Sequence, residues 1–131
     1  MLLNLSNHPS SGWGADQRGA AAAQFGSVED LVFPNIDPEW DAAQVAALAD
    51  DYVVRCIEVL RPHERPSGAV HVMGEMTFTC ALVARLHARG IPCVASTTER
   101  IVKKMPNGDR RITFRFVRFR AYPRIQTLDL P

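Results

Sequence analysis

The chain has no run of apolar residues that approaches the roughly 20 needed to cross a bilayer. Its opening, MLLNLS, reaches the polar Asn4 too soon to form a signal-peptide core, so a cytoplasmic protein with no membrane partner is expected. Cysteine is scarce too: Cys56, Cys80 and Cys93 lie in apolar segments without paired spacing. That excludes a disulfide scaffold and a zinc site, suits reduced core thiols, and leaves no metal and no cofactor expected. There is no internal repeat, and low complexity is confined to the alanines Ala20 to Ala23, which suit a helix.

What is present is ordinary globular material: 47% apolar and 22% charged residues over 131 positions, which excludes disordered and fibrous classes and fits one domain. The net charge of +1 is unevenly placed. Residues 1–66 hold 4 basic and 10 acidic side chains, a net of −6, whereas residues 67–131 hold 11 and 4, a net of +7. Such a split fits an anion-binding half, two solvated faces, or a dimer that matches its own opposite charges.

Hydrophobic periodicity orders the chain. Leu2 to Leu5 reads as a strand that opens into the turn-rich SNHPSSGW, and a helix from about Gly14 to Phe25 ends at Gly26. VEDLVF, with Val28, Leu31, Val32 and Phe33, reads as a second strand closed by Pro34. Asp41 or a neighbour can cap a long helix with apolar positions at Val45, Leu48, Ala49, Tyr52, Val53, Cys56, Ile57 and Leu60, ended by Pro62 and Pro66. AVHVM is a third strand, MTFTCALVARLHARG a helix ending at Gly90, and IPCVAST a fourth strand.

ERIVKKM, PNGD and RRITFRFVRF then form a hairpin, with Asn107-Gly108 supplying the positive φ angles of a tight turn. Ile112, Phe114 and Phe116 alternate inward until Val117 and Phe119 take over the phase, which calls for a bulge near Phe116. Strands alternating with helices require right-handed crossovers. The expected fold is therefore a single α/β, Rossmann-like domain over residues 1–131: a mostly parallel sheet, helices on both faces, and a C-terminal antiparallel hairpin strand.

In such sheets ligands bind outside the carboxyl ends of the strands, where strand order reverses. Strands one, three and four end in SNHPSSGW, GEMT and STTER, all polar and turn-prone. Gly74 would let backbone pass close to a ligand, and Met76 and Thr77 would offer the first free N–H groups of a helix to a phosphate. Glu75 is anomalous beside an anion. It stabilises the helix dipole, binds a ribose hydroxyl, orients Arg100, or acts as a base.

Ser96, Thr97, Thr98 and Arg100 make a set suited to phosphate oxygens, although Ser and Thr are common at any strand exit. His8, in a loop at this rim, is a residue type that can protonate a leaving oxygen. Trp13 either stacks on a base or anchors the first helix. His71 and His87 read as core or surface residues, and His63 belongs to a Pro-rich loop.

NLSNHPSSGW, VHVMGEMTFTCALVARLHARG and VASTTER, in this order, resemble the small single-domain CRISPR-associated Rossmann-fold proteins related to CARF domains, including stand-alone ring nucleases. The likeness spans roughly residues 2–100 and is closest in the G-acidic-x-x-F turn and the T-T-x-R strand end. It implies a homodimer that binds cyclic oligoadenylate, a messenger of type III CRISPR antiviral defence, and cuts it without metal. A ribose 2′-hydroxyl would attack the adjacent phosphorus and leave a 2′,3′-cyclic phosphate.

By matching position, the resemblance makes Asn7, His8, Ser10 and Ser11 first-loop contacts and Gly74 to Thr77 the phosphate or ribose turn. Thr97, Thr98 and Arg100 become a second anion contact, with His8 or Glu75 handling protons. Glu75 departs from the pattern by placing negative charge at an anion site, and no effector domain follows the fold, which favours a destroyer of the signal over an effector. No long nucleic acid is expected as a partner. Two other functions fit the same residues: a non-catalytic nucleotide sensor or adaptor, and a metabolic enzyme acting on a nucleoside or sugar phosphate with Glu75 as nucleophile or base.

Overall fold

The computed structural model describes residues 1–61 and 68–125. Among the described residues, five strands and three α-helices alternate as far as the final pair of strands: β1 (Leu2–Ser6), α1 (Ala15–Phe25), β2 (Val28–Asp30), α2 (Ala42–Leu60), β3 (Ala69–Met73), α3 (Met76–Ala88), β4 (Cys93–Lys104) and β5 (Arg110–Ala121). The sheet order is β2-β1-β3-β4-β5, with parallel pairing throughout except for the antiparallel β4–β5 pair. No described helix is long and apolar enough to cross a membrane.

The alternation of each buried strand feeds two cores. From β1 and β3, Leu3, Leu5, Val70 and Val72 point to the face covered by α2 and α3, where Tyr52, Val53, Phe78, Leu82 and Leu86 pack on them. Leu2 and Ala69 point to the other face, under α1, with Trp13, Ala21, Val94 and Phe119. Strands buried on both faces read as continuous apolar runs, as LLNLS and AVHVM nearly do. Besides Ser6 at the end of β1, the polar exceptions are Asn4 and His71, which both belong to the α1 face and are register partners.

Asp41 caps α2 as expected, in a reciprocal capping box with Gln44: each backbone N–H is accepted by the other side chain at 3.0 Å. The prolines Pro62 and Pro66, and His63 between them, lie outside the described residues.

The second strand is shorter than its sequence suggests. It stops at Asp30: Leu31 N–H makes one last bond to β1, to the Asn4 carbonyl at 2.9 Å, and the chain then turns so that Leu31 and Phe33 pack against the α2–α3 core. The cysteines also divide: Cys56 and Cys93 are buried, whereas Cys80 is exposed on α3 and is not a core thiol.

The chain end departs most from a simple sheet. β4 pairs with β3 only through Cys93 and Val94, then continues with β5 alone as its partner to Lys104. A two-stranded ribbon therefore projects past the carboxyl edge of the parallel strands, about 20 Å long at roughly 3.3 Å per residue. The bulge is where the change of phase requires it: Thr97 pairs with Arg118 and Thr98 with Phe116, which leaves Val117 as the extra residue.

The turn differs from the two-residue form. Gly108 N–H donates to the Met105 carbonyl at 3.0 Å, and only Gly108, at φ +89°, is left-handed, while Asn107 is not. With five residues between the strands, Pro106 and Asn107 form the corner and Gly108 follows it.

Candidate functional site

Because β1, β3 and β4 run parallel and adjacent, their carboxyl ends meet at one edge. Strand order reverses between β1 and β3, the position at which open α/β sheets form a crevice. The two strand ends are stitched together there by Asn7 N–H donating to the Met73 carbonyl at 3.1 Å.

A polar cluster runs beneath this edge, on the α1 face. Asn4 Nδ2 donates to Asp30 Oδ1 at 2.8 Å and to the His8 carbonyl at 2.9 Å, two groups that only accept. This fixes the amide, so Asn4 Oδ1 must accept from its other neighbours, Ser6 Oγ and His71 Nδ1, each at 2.8 Å. A neutral His71 with its proton on Nδ1 has a bare Nε2, which accepts from Ser96 Oγ at 2.7 Å. Ser96 Oγ in turn accepts from Gln17 Nε2 at 2.9 Å. The chain of donors and acceptors from Asp30 to Gln17 is thus complete and has a single polarity.

The electrostatics agree with that polarity. His71 is 2% exposed. Burial, with His8 as a lesser cause, pushes its pKa down to about 4, so the ring is neutral at pH 7. Burial alone would raise the Asp30 pKa, but hydrogen bonds from Asn4 and Ser10 outweigh it and hold the carboxyl below its ordinary value.

Some residues singled out from the sequence join this cluster and others do not. Ser96 is a member. Ser10 anchors the β1 loop to β2, its N–H and Oγ donating to the Asp30 carboxylate at 3.1 and 2.8 Å. His8 contributes its carbonyl, which accepts from Asn4 and from Trp13 Nε1 at 3.1 Å, while its side chain is exposed, as are those of Asn7 and Ser11. Trp13 is 4% exposed and meets His71 edge-on at 5.4 Å between centroids, so it is the anchor of the two roles open to it.

Glu75 caps α3. Its carboxylate accepts from Thr77 N–H at 3.0 Å and Phe78 N–H at 2.8 Å, and the Thr77 hydroxyl donates to both of its oxygens at 2.8 Å. These bonds hold the carboxyl below its ordinary pKa, and they occupy helix N–H groups that a phosphate would use.

Gly74 has a reason internal to the fold: a Cβ there would lie 2.2 Å from the Phe33 ring, which is itself T-stacked on Phe78. Gly74 and the exposed Met76 line a mainly apolar cavity of about 750 Å³ beside α3, with Cys80, Tyr122 and Arg124. Thr97 Oγ1 donates to the Arg118 carbonyl at 3.1 Å, while Thr98 and Arg100 are exposed on the ribbon. Arg100 has no side-chain ion pair among the described residues.

The sequence drew no attention to Asn4, Gln17 or Asp30, and it read His71 as core. A signal was present: a polar residue at the centre of each of two buried strands, at positions that alternation assigns to one face. Among the described residues no group of three His, Cys, Asp or Glu side chains is placed to hold a metal ion.

Around the site the ribbon supplies charge and exposed apolar surface. Residues 97–120 include 8 basic and 2 acidic side chains. Cross-strand pairs share a face, so Thr98, Arg100 and Val102 stand with Phe116, Phe114 and Ile112 on the α1 side. Phe114 is 68% and Ile112 47% exposed. The opposite face carries the Glu99–Arg115 ion pair at 2.6 Å, with Lys103 opposite Arg111.

The fold and this cluster define an α/β protein with a buried histidine hydrogen-bonded to a half-buried serine at the carboxyl edge of its parallel strands. The chain belongs to the family described as the uncharacterized protein MJ1673 family, whose model matches residues 1–120 and so includes every member of the cluster. No curated protein and no solved structure matches it.

Proposed function

We propose that the chain is a Rossmann-like nucleotide-binding protein that binds cyclic oligoadenylate across a homodimer two-fold and opens the ring without metal, as a ring nuclease of type III CRISPR defence. The observation that supports this best is the basic ribbon, which projects from the edge where the β1, β3 and β4 ends meet and leaves Thr98 and Arg100 exposed beside the crevice. A ring of phosphodiesters needs cationic donors spread over a wide mouth, and a ribbon of this charge provides them.

In this reading Arg100 and Thr98 hold phosphate, Asn7, His8 and Ser11 line the other side, and the exposed His8 imidazole gives a proton to the leaving oxygen. Glu75 stays a cap and binds no phosphate. The apolar face of the ribbon, exposed at Phe114 and Ile112, packs on a second copy and builds the two-fold site a symmetric ring requires.

Incubation with cyclic tetra- and hexa-adenylate in EDTA, followed by chromatography, tests the reading. Linear products ending in a 2′,3′-cyclic phosphate are expected, from a protein that light scattering finds dimeric at micromolar concentration. Neither binding nor turnover of either ring, or a monomer with and without ligand, removes it.

One observation favours a non-catalytic sensor as the second reading. The Glu75 carboxylate is fully engaged by α3, which leaves one fewer group free for proton transfer. Tight binding without turnover selects that reading.

A further inference from the structure

Ser96, His71 and Asn4 stand in the order of a hydroxyl, a base for that hydroxyl, and a group that orients the base. Ser96 Oγ donates to His71 Nε2 at 2.7 Å, and His71 Nδ1 donates to Asn4 Oδ1 at 2.8 Å. The tautomer this needs is imposed from outside the trio, since Asp30 and the His8 carbonyl hold the Asn4 amide so that only its oxygen faces the ring. Nucleophilic serines are recognised by these roles and this reach, in whatever order the residues occur along the chain.

We propose that Ser96 is a nucleophile with His71 as its base and Asn4 as the residue that positions the base, and that this site hydrolyses phosphodiesters through a phosphoserine. In the first step Ser96 Oγ bonds to phosphorus, its proton passes to His71 Nε2, and the ester oxygen departs with that proton. In the second, water attacks the phosphoserine, gives a proton to Nε2, and the Oγ–P bond breaks as Oγ takes the proton back. One ester and one water become one phosphate monoester and one alcohol.

The surroundings favour phosphorus over an acyl carbon. Along β4, Thr98 and Arg100 follow Ser96 on the same face and offer a hydroxyl and a guanidinium to phosphoryl oxygens. Gln17 Nε2 donates to Oγ and stabilises the negative charge that develops there when the proton leaves. A buried imidazole is a modest base, but once protonated it is a strong acid toward the departing oxygen, the harder part of breaking a phosphodiester. This activity needs no ribose hydroxyl in its substrate, so it stands or falls apart from the ring-opening reaction proposed above.

The test uses the intact protein in EDTA with two probes that lack ribose: a fluorophosphonate, which labels activated serines as a P–F bond breaks, and bis(p-nitrophenyl) phosphate, which releases p-nitrophenolate. Peptide mapping should place the label on Ser96. Both labelling and p-nitrophenolate release should fall by about 100-fold or more in Ser96→Ala and His71→Gln, each checked for native circular dichroism. Should a variant fail to fold, the parent itself decides, since prior labelling should abolish turnover in proportion to the Ser96 occupied. No label on Ser96, labelling of His71→Gln at the parental rate, or turnover that survives full labelling overturns the nucleophile. A labelled Ser96 with no release from the diester overturns the phosphodiesterase.

Discussion

Mild acid should weaken this fold chiefly through one side chain, His71, the end of α3 adding a lesser share through His87, whose pKa burial also lowers. In the unfolded chain the His71 imidazole titrates at 6.5, and in the folded chain at about 4. Between those values the unfolded state takes up a proton that the folded state refuses, so stability falls as pH drops from 6.5 toward 4 and levels off below that. At about 1.4 kcal/mol per pH unit, the gap amounts to roughly 3 kcal/mol, a large share of the 5–15 kcal/mol typical of a domain. The structural reason is that a protonated ring would need two acceptors. Asn4 Oδ1 provides one, while the proton on Nε2 would face Ser96, which could accept it only by turning its own hydroxyl hydrogen elsewhere.

Urea unfolding at intervals from pH 7.5 to 4.5 measures this directly, with His71→Gln as the control. The parent should lose most of the 3 kcal/mol over that range. The variant should start less stable, for want of the buried ring and its two hydrogen bonds, and change far less with pH. The carboxylates do not obscure the comparison. Asp30 and Glu75 both have folded values below their ordinary 3.8 and 4.5, so what they contribute is lost only as pH falls below those values. Parallel pH curves for parent and variant would refute the reasoning, because they would mean that His71 is not held neutral by the fold.

Three further outcomes follow from single contacts. Gly74→Ala should destabilise by about 1–3 kcal/mol, because the new Cβ must drive the Phe33 ring off Phe78, and most of that cost should vanish in a Phe33→Ala background measured by the same thermal melts. Glu75→Gln should lower the melting temperature near pH 7, and the gap between parent and variant should narrow as pH falls below 4.5 and the carboxyl takes up the proton that ends its role as a charged cap. Arg100→Ala should weaken cyclic oligoadenylate binding by roughly 2 kcal/mol in calorimetry, with melting unchanged because the side chain is exposed and has no ion pair among the described residues.

How much of this was legible depends on the range over which each feature is determined. Helix α2 is written locally, in the Asp41–Gln44 box and the apolar spacing from Val45 to Cys56, and the structure has it at the expected place. The bulge was legible for a similar reason, since alternation through Phe116 and Phe119 cannot be kept without an extra residue. The end of β2 was not, because VEDLVF reads as a strand until the distant Gly74 and Phe78 draw Phe33 out of the ladder.

The site divides the same way. Glu75, at a helix start, had stabilisation of the helix dipole among the roles its sequence position allowed, and the cap it forms acts at that same helix end. The bond from Asn4 to His71 spans 67 positions and that from His71 to Ser96 spans 25, and neither spacing is a motif. Only the register of β1 on β3, which sets Asn4 beside His71, turns two isolated polar residues into one cluster.

That register also ties the cluster to the ribbon. Strand β4 keeps one uninterrupted alternation from Val94 to Lys104, the extra residue of the bulge being on β5. The face that presents Ser96 to His71 therefore continues outward through Thr98, Arg100 and Val102, and antiparallel pairing adds Phe116, Phe114 and Ile112 to it. Phe116 is already half-covered by the α1 core through Phe119, at 5.0 Å between ring centroids, whereas Phe114 one pair further out is mostly bare. Any body that covers Phe114 must then border Thr98 and Arg100, and through them the edge above Ser96. Association through the ribbon and access to the cluster are for this reason one geometric variable, and a change that opens the first alters the second.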